Sequence, residues 1–180
     1  MPRSSRGVIR FLATFALAFA AACGTTTGAG SGTSPAVQPP DPRNATYRIE
    51  KDLLTLTNGK LEREAAPGSA TKIVTTVTDV QTTGDVDGDG RPDTVVILVN
   101  QPGGSGTFYY VAVLLNAASG VTATPAVLLG DRITVNSVKL DARTIVVDML
   151  DRAAGQPMTA SPSVSVAKRF GVDAGALKPQ

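Results

Sequence analysis

The chain has 180 residues, with 17 Lys+Arg, 15 Asp+Glu, one Cys, 18 Gly and neither His nor Trp. That length holds one domain of ordinary size and excludes a large multidomain enzyme. The lack of histidine removes the commonest general base and every Ser-His-Asp or Cys-His arrangement, and a single cysteine excludes an intrachain disulfide framework and thiolate metal clusters.

Arg3, Arg6 and Arg10 make a basic start, and Phe11 to Ala22 then runs uncharged as FLATFALAFAAA. Those twelve residues would rise only about 18 Å as a helix, short of the roughly 30 Å hydrocarbon core of a bilayer. A basic n-region, a short apolar h-region and a small-residue end form the pattern of an export signal, expected over residues 1–22. Cys23 follows directly on Ala20-Ala21-Ala22. This resembles the lipobox of bacterial lipoproteins, in which the cysteine becomes the lipid-modified first residue, palmitate being among its acyl groups. The lipobox usually has Leu where Ala20 stands, and the three alanines also fit ordinary A-x-A cleavage, which would release a soluble secreted chain. An unpaired thiol in an oxidising compartment is a liability that acylation removes, which favours the anchored form. Without residues 1–22 the chain carries 14 Lys+Arg against 15 Asp+Glu, a net charge of −1, so no basic face for nucleic acid is expected.

Residues 24–43 are rich in Gly, Ser, Thr and Pro and have almost nothing to bury, so residues 23–43 are expected to form a lipidated cysteine and a disordered tether. Residues 44–180 then form a single β-rich domain. Leu54 and Leu56 alternate with Thr55 and Thr57, Asn58-Gly59 follows, and Lys60 to Glu64 comes next, a strong hairpin signal. Lys72 to Val80 is rich in β-branched residues. Thr94 to Val99 (TVVILV) and Phe108 to Leu115 (FYYVAVLL) are continuous apolar runs suited to central strands, with Pro102 to Gly106 as the loop between them. Ile133 to Leu140 and Thr144 to Leu150 predict a hairpin around Asp141-Ala142-Arg143, and Val164 to Phe170 a closing strand; Ala123 to Leu129 is ambiguous. About seven or eight short strands and no clean 3.6 period predict an all-β fold: an antiparallel sandwich, barrel or curled sheet.

The main chemical signal is Gly84 to Asp93, G-D-V-D-G-D-G-R-P-D. Asp85, Asp87 and Asp89 fall at loop positions one, three and five, Gly90 at six and Asp93 at nine. Calcium is a hard cation that takes six to eight oxygens, and alternate carboxylates on a tightly curled loop converge on one point. Glycine at six permits the sharp turn, and the Arg91 carbonyl at seven can add an uncharged oxygen. The loop resembles the first nine positions of an EF-hand, and the calcium loops of dockerins and FG-GAP repeats. It departs at position twelve, where Val96 replaces the bidentate Glu and a strand replaces the helix, so the context is closer to the FG-GAP arrangement. The expected ligands are Asp85, Asp87, Asp89, Arg91 and Asp93, holding a structural Ca2+ with a dissociation constant on the order of 10⁻⁴–10⁻³ M. A plain turn needs one Asp or Asn with a Gly, not four carboxylates within nine residues.

Other motifs are weaker. Gly103-Gly104-Ser105-Gly106 lacks the GK[ST] of a phosphate cradle and the G-x-S-x-G spacing of a serine hydrolase. Phe108 to Tyr110 could line a groove, although such a run more often divides between core and rim. Asp148 and Asp151 could pose as paired carboxylates but read better as solvated strand-end positions. Asn44-Ala45-Thr46 is a glycosylation sequon only for a eukaryotic secretory route.

Taken in order, GDVDGDGRPD, VVILVNQPGGSGTFYYVAVLLN, LLGDRITVNSVKL and TIVVDML resemble a group of poorly characterised bacterial envelope lipoproteins, over roughly residues 45–170. Members of that group often carry two cysteines where this chain reads Pro157 to Pro162, so no disulfide is implied there. The resemblance implies location in the cell envelope, facing periplasm or exterior, and a β fold; it implies no activity. The expected function is that of an exported, lipid-anchored, non-enzymatic protein. It would be attached to a membrane through Cys23, stiffened by calcium, and engaged in structure or in contact with an envelope protein. The alternatives are a metal-dependent hydrolase and a periplasmic inhibitor or ligand-binding β domain working through the Phe108–Tyr110 face.

Overall fold

The two continuous apolar runs become the two central strands of the molecule. The structure, a computed structural model, describes residues 36–180; the export signal, Cys23 and most of the expected tether lie outside the described residues. One 3-10 turn, Pro42–Asn44, precedes twelve strands: β1 (Thr46–Ile49), β2 (Asp52–Thr55), β3 (Lys60–Glu64), β4 (Lys72–Gly84), β5 (Asp93–Gln101), β6 (Phe108–Ala117), β7 (Gly120–Ala123), β8 (Val127–Asp131), β9 (Thr134–Asp141), β10 (Thr144–Asp151), β11 (Val164–Asp173) and β12 (Ala176–Pro179). Among the described residues there is no α-helix.

The strands form three antiparallel sheets, none closed into a barrel. The largest runs β3-β4-β5-β6-β7, with β8 also paired to β6; the second runs β12-β11-β10-β9; β1 and β2 make a ribbon. Both faces of the largest sheet are covered. Along β5 and β6, successive side chains point to opposite faces. Val95, Ile97, Val111, Val113 and Leu115 therefore join Val138, Ile145, Val147, Met149 and Phe170 of the second sheet in one core. Val96, Leu98, Tyr110, Ala112 and Leu114 meet Tyr47, Ile49, Leu54 and Leu56 of the ribbon region in another. Burial on both faces is why these strands lack the usual alternation of apolar and polar residues.

Two expectations change. The turn at Asn58-Gly59 forms, with φ of 52° and 86° and with Thr57 and Lys60 exchanging backbone bonds of 3.0 and 3.1 Å. The pairing ends there, because β2 returns to β1 and β3 pairs with β4. Leu54 and Leu56 are buried in the ribbon core, so the chain steps from one layer to the next at this turn instead of folding back on itself. The strand count is also higher than expected, because the four-residue strands β1, β7 and β12 were not anticipated and the ambiguous Ala123–Leu129 segment divides between the ends of β7 and β8.

The folded body begins ahead of the expected Asn44. Asp41 caps the 3-10 turn by accepting from the Arg43 N–H, the buried Tyr47 hydroxyl donates to the Pro42 carbonyl at 2.8 Å, and the Gly59 N–H donates to the Arg43 carbonyl at 2.7 Å. Pro40 is buried.

Candidate metal site

The Asp-rich segment is the connection between β4 and β5, which pair up to Gly84 opposite Asp93. Its middle is folded by its own carboxylates. Asp85 accepts from the Gly88 N–H at 2.6 Å and from the Gly90 N–H at 2.9 Å, Asp87 from the Asp89 N–H at 3.1 Å, and Asp89 from the Arg91 N–H at 2.8 Å. Val86, between two of these aspartates, is 2% exposed and roots the loop in the core shared with the second sheet.

Asp85, Asp87 and Asp89 each offer a carboxylate oxygen within 4.8 Å of the others, with Asp85 half-buried and the other two exposed. Such a trio suits a hard cation that takes carboxylate and carbonyl oxygens together with water. Asp93 is not part of the trio. It is fully buried, and its two oxygens accept from the Val86 N–H at 2.9 Å and the Asn116 N–H at 2.8 Å, so it holds the base of the loop. The Arg91 guanidinium reaches Asn116, donating to its backbone carbonyl and at 3.4 Å to its side-chain oxygen. Val96, at position twelve, has its side chain buried in the ribbon core and offers no side-chain oxygen.

Environment separates these carboxyls. Desolvation pushes Asp85 up, but the N–H groups of Gly88, Gly90 and Asp89 and the charge of Arg143 outweigh it and hold the group below its ordinary value. Burial pushes Asp93 up; the Asn116 and Val86 N–H groups pull it back, and the charges of Asp87 and Asp89 push it further up. Asp85 thus faces one cationic side chain from outside the loop, that of Arg143.

Arg143 sits in the turn between β9 and β10 and donates to the Asp87 carbonyl at 3.3 Å. It lies directly over Gly88, whose φ is +89°; a Cβ there would stand only 2.0 Å from Arg143 Nη1. The left-handed backbone favours glycine here, whereas the crowding atom is the far end of a flexible arginine side chain that would have to shift. Gly88→Ala is expected to lower stability by about 1–3 kcal/mol in urea unfolding, the usual cost of a left-handed non-glycine residue; an unchanged midpoint would show that the loop relaxes freely.

Neither Asn116 nor Arg143 was anticipated as part of this site. Asn116 is legible only as the polar residue that ends an apolar run, and Arg143 only as a turn residue distant in sequence. The other sequence candidates are placed as follows. The Gly103–Gly106 segment joins β5 to β6, and the Arg132 guanidinium donates to the Ser105 carbonyl. Asp148 accepts from the Ser137 hydroxyl at 3.0 Å and Lys139 at 3.2 Å, whereas Asp151 accepts from the Arg152 N–H, so the two do not act as a pair. Tyr109 packs toward the second sheet, and Phe108 and Tyr110 toward the ribbon. Beside the last two lies a hollow of about 260 Å³ that also touches Glu50, Arg63 and Asn100.

Compared with protein-family models, curated proteins and solved structures, the chain matches none of them.

Proposed function

We propose that this chain is an exported, lipid-anchored, non-enzymatic protein of the bacterial cell envelope, whose Asp85–Asp89 loop binds a structural calcium ion. The observation that carries the calcium reading is the convergence of three carboxylate oxygens within 4.8 Å on a loop curled by backbone N–H groups that donate to the Asp85 carboxylate. Asp85, Asp87 and Asp89 are the direct ligands in this reading, the Arg91 carbonyl and water complete the shell, and Asp93 supports it from beneath. Anchoring rests on the Cys23 lipobox resemblance, and the non-enzymatic role on a chain without histidine and with one cysteine. The partner is an envelope component that meets the β domain. Calcium at about ten times its dissociation constant adds about 1.4 kcal/mol by mass action, or about 3–6 °C in melting temperature for a domain of this size.

The test is thermal unfolding of the full chain with millimolar calcium and with excess chelator, beside an Asp87→Ala variant. A rise with calcium in the wild type and none in the variant is the expected result. Identical melts in calcium and chelator would reduce the loop to a turn. Acylation is checked separately by the mass of the protein recovered from bacterial membranes. A ligand-binding reading finds its support in the hollow beside Phe108 and Tyr110.

A further inference from the structure

The hollow beside Phe108 and Tyr110 joins a buried apolar floor to a charged wall. Its volume of about 260 Å³ suits a guest somewhat smaller than a drug molecule. Ile49, Leu54 and Tyr110, each 4% exposed, supply the floor from the ribbon and from β6, and Leu128 of β8 lines it while remaining half exposed. Three charged side chains complete the lining. Asp52 and Arg63 answer each other across 3.5 Å. Glu50 is the third, and among the described residues no Lys or Arg stands within ion-pair distance of it. Two carboxylates against one guanidinium give the lining a net charge of −1.

The Tyr110 hydroxyl is the second sign of a missing guest. The residue is buried, yet the side-chain bond its hydroxyl makes, to Glu50 Oε1, is stretched to 3.4 Å, beyond the roughly 2.7 Å usual for two oxygens. Buried hydroxyls ordinarily bond at close range. Burial first, then the charge of Glu50 and its bond, hold the Tyr110 pKa above its ordinary 10.0, so the group stays a neutral hydroxyl with lone pairs to offer. Glu50 occupies left-handed backbone, with φ of 53°, as the first residue of the two-residue turn between β1 and β2. Gly, Asn or Asp is the local preference at such a position. Those residues are shorter, and glutamate extends a carboxylate back to the buried hydroxyl.

We infer that this hollow binds a small amine with an apolar body, its ammonium received by Glu50 and the Tyr110 oxygen and its body laid against Phe108, Leu54 and Ile49. The inference deepens the ligand-binding reading and is independent of calcium. An ammonium brings three donors and a charge opposite to that of the lining. It bonds the carboxylate that has no cation and the hydroxyl that has lone pairs to spare, and the two aromatic rings bordering the hollow add attraction for a cation. A carboxylate guest would meet Glu50 as a like charge and would have to draw Arg63 away from Asp52. A neutral apolar guest would leave Glu50 and Tyr110 at their stretched distance.

The test is a titration of the isotope-labelled full chain, in chelator, with phenethylamine and separately with phenylacetate, followed by backbone amide resonances. Phenethylamine is expected to shift Glu50, Asn100, Phe108 and Leu128 with a millimolar dissociation constant. Glu50 is exposed in a turn, so Glu50→Gln should fold normally and weaken the amine about tenfold or more, the usual worth of a hydrogen bond to a charged group. Tyr110→Phe should weaken it by less. Asp79→Asn removes the same charge from an exposed position on β4 outside the lining and should leave the affinity unchanged. An affinity untouched by Glu50→Gln would overturn the inference. Phenylacetate shifting the same resonances as strongly as the amine would overturn the choice of guest and leave a ligand-binding hollow. No shift at the hollow from either probe, or amine shifts confined to residues 85–93, would overturn both the inference and the ligand-binding reading.

Discussion

Replacing Asp93 with alanine is expected to be the most damaging change in the Asp-rich segment, lowering stability by about 2–5 kcal/mol in urea unfolding, although Asp93 lies outside the carboxylate trio. The substitution leaves the buried N–H groups of Val86 and Asn116 without acceptors, and each such orphan costs about 1–3 kcal/mol. Asp93→Asn keeps one acceptor oxygen and turns its amide toward the other N–H, so it should fall between alanine and wild type. Because burial raises the Asp93 pKa above its ordinary 3.8, the folded chain holds this proton more tightly than the unfolded chain. The stability linked to that proton is complete below 3.8 and is lost as pH rises through the raised folded value. Wild type should therefore decline relative to Asp93→Asn across that window. An Asp93→Ala midpoint indistinguishable from wild type would mean that the two N–H groups find other acceptors and that the hairpin base is not held as described.

Ile97→Ala is expected to cost about 2–5 kcal/mol, the range for emptying a fully buried aliphatic site. Ile97 is 0% exposed at the middle of β5, on the face packed against the second sheet. Leu98→Ala, one residue on and equally buried, opens a hole in the ribbon core on the other face and should cost a similar amount. Val121→Ala, at a position 54% exposed, should stay within about 0.5 kcal/mol of wild type. Urea titration with an unchanged slope would assign the losses to the folded state. A large loss from Ile97→Ala beside a negligible one from Leu98→Ala would mean that the ribbon does not cover its face of the large sheet in solution.

The sequence made some of this plain and concealed the rest for identifiable reasons. TVVILV and FYYVAVLL could be read as central strands because only two-sided burial tolerates such runs, and the structure gives each run a partner core on both faces. Leu54, Leu56 and Asn58-Gly59 carried a true turn signal, but a turn specifies only local backbone; which strand β2 then pairs with depended on Tyr47 and Ile49, two buried side chains on a four-residue strand too short to show a period. At the candidate site, the regular spacing of Asp85, Asp87 and Asp89 places them on one loop and was legible. Asp93 shares that spacing, yet its direction is set by two backbone N–H groups, one belonging to a strand 23 residues away. Asn116 and Arg143 escaped for the same reason, since long-range hydrogen bonds leave no mark in local spacing.

The covering of β5 and β6 on both faces also fixes an order of arrival. Synthesis proceeds from the N-terminus. The side chains that cover the Val96–Leu98 face, from Tyr47 to Leu56, already precede the central strands when these emerge. Those that cover the Val95–Ile97 face run from Leu129 to Leu177, close to the end of the chain. For that interval a broad aliphatic surface stands bare on the Thr94–Val99 and Phe108–Leu115 runs, which are uncharged, proline-free and strongly β-forming, the composition that drives strands of different copies to stack. A chain cut short before β9 would retain the ribbon and the Asp-rich loop, and would be defined less by what it could not do than by its tendency to aggregate through the uncovered face.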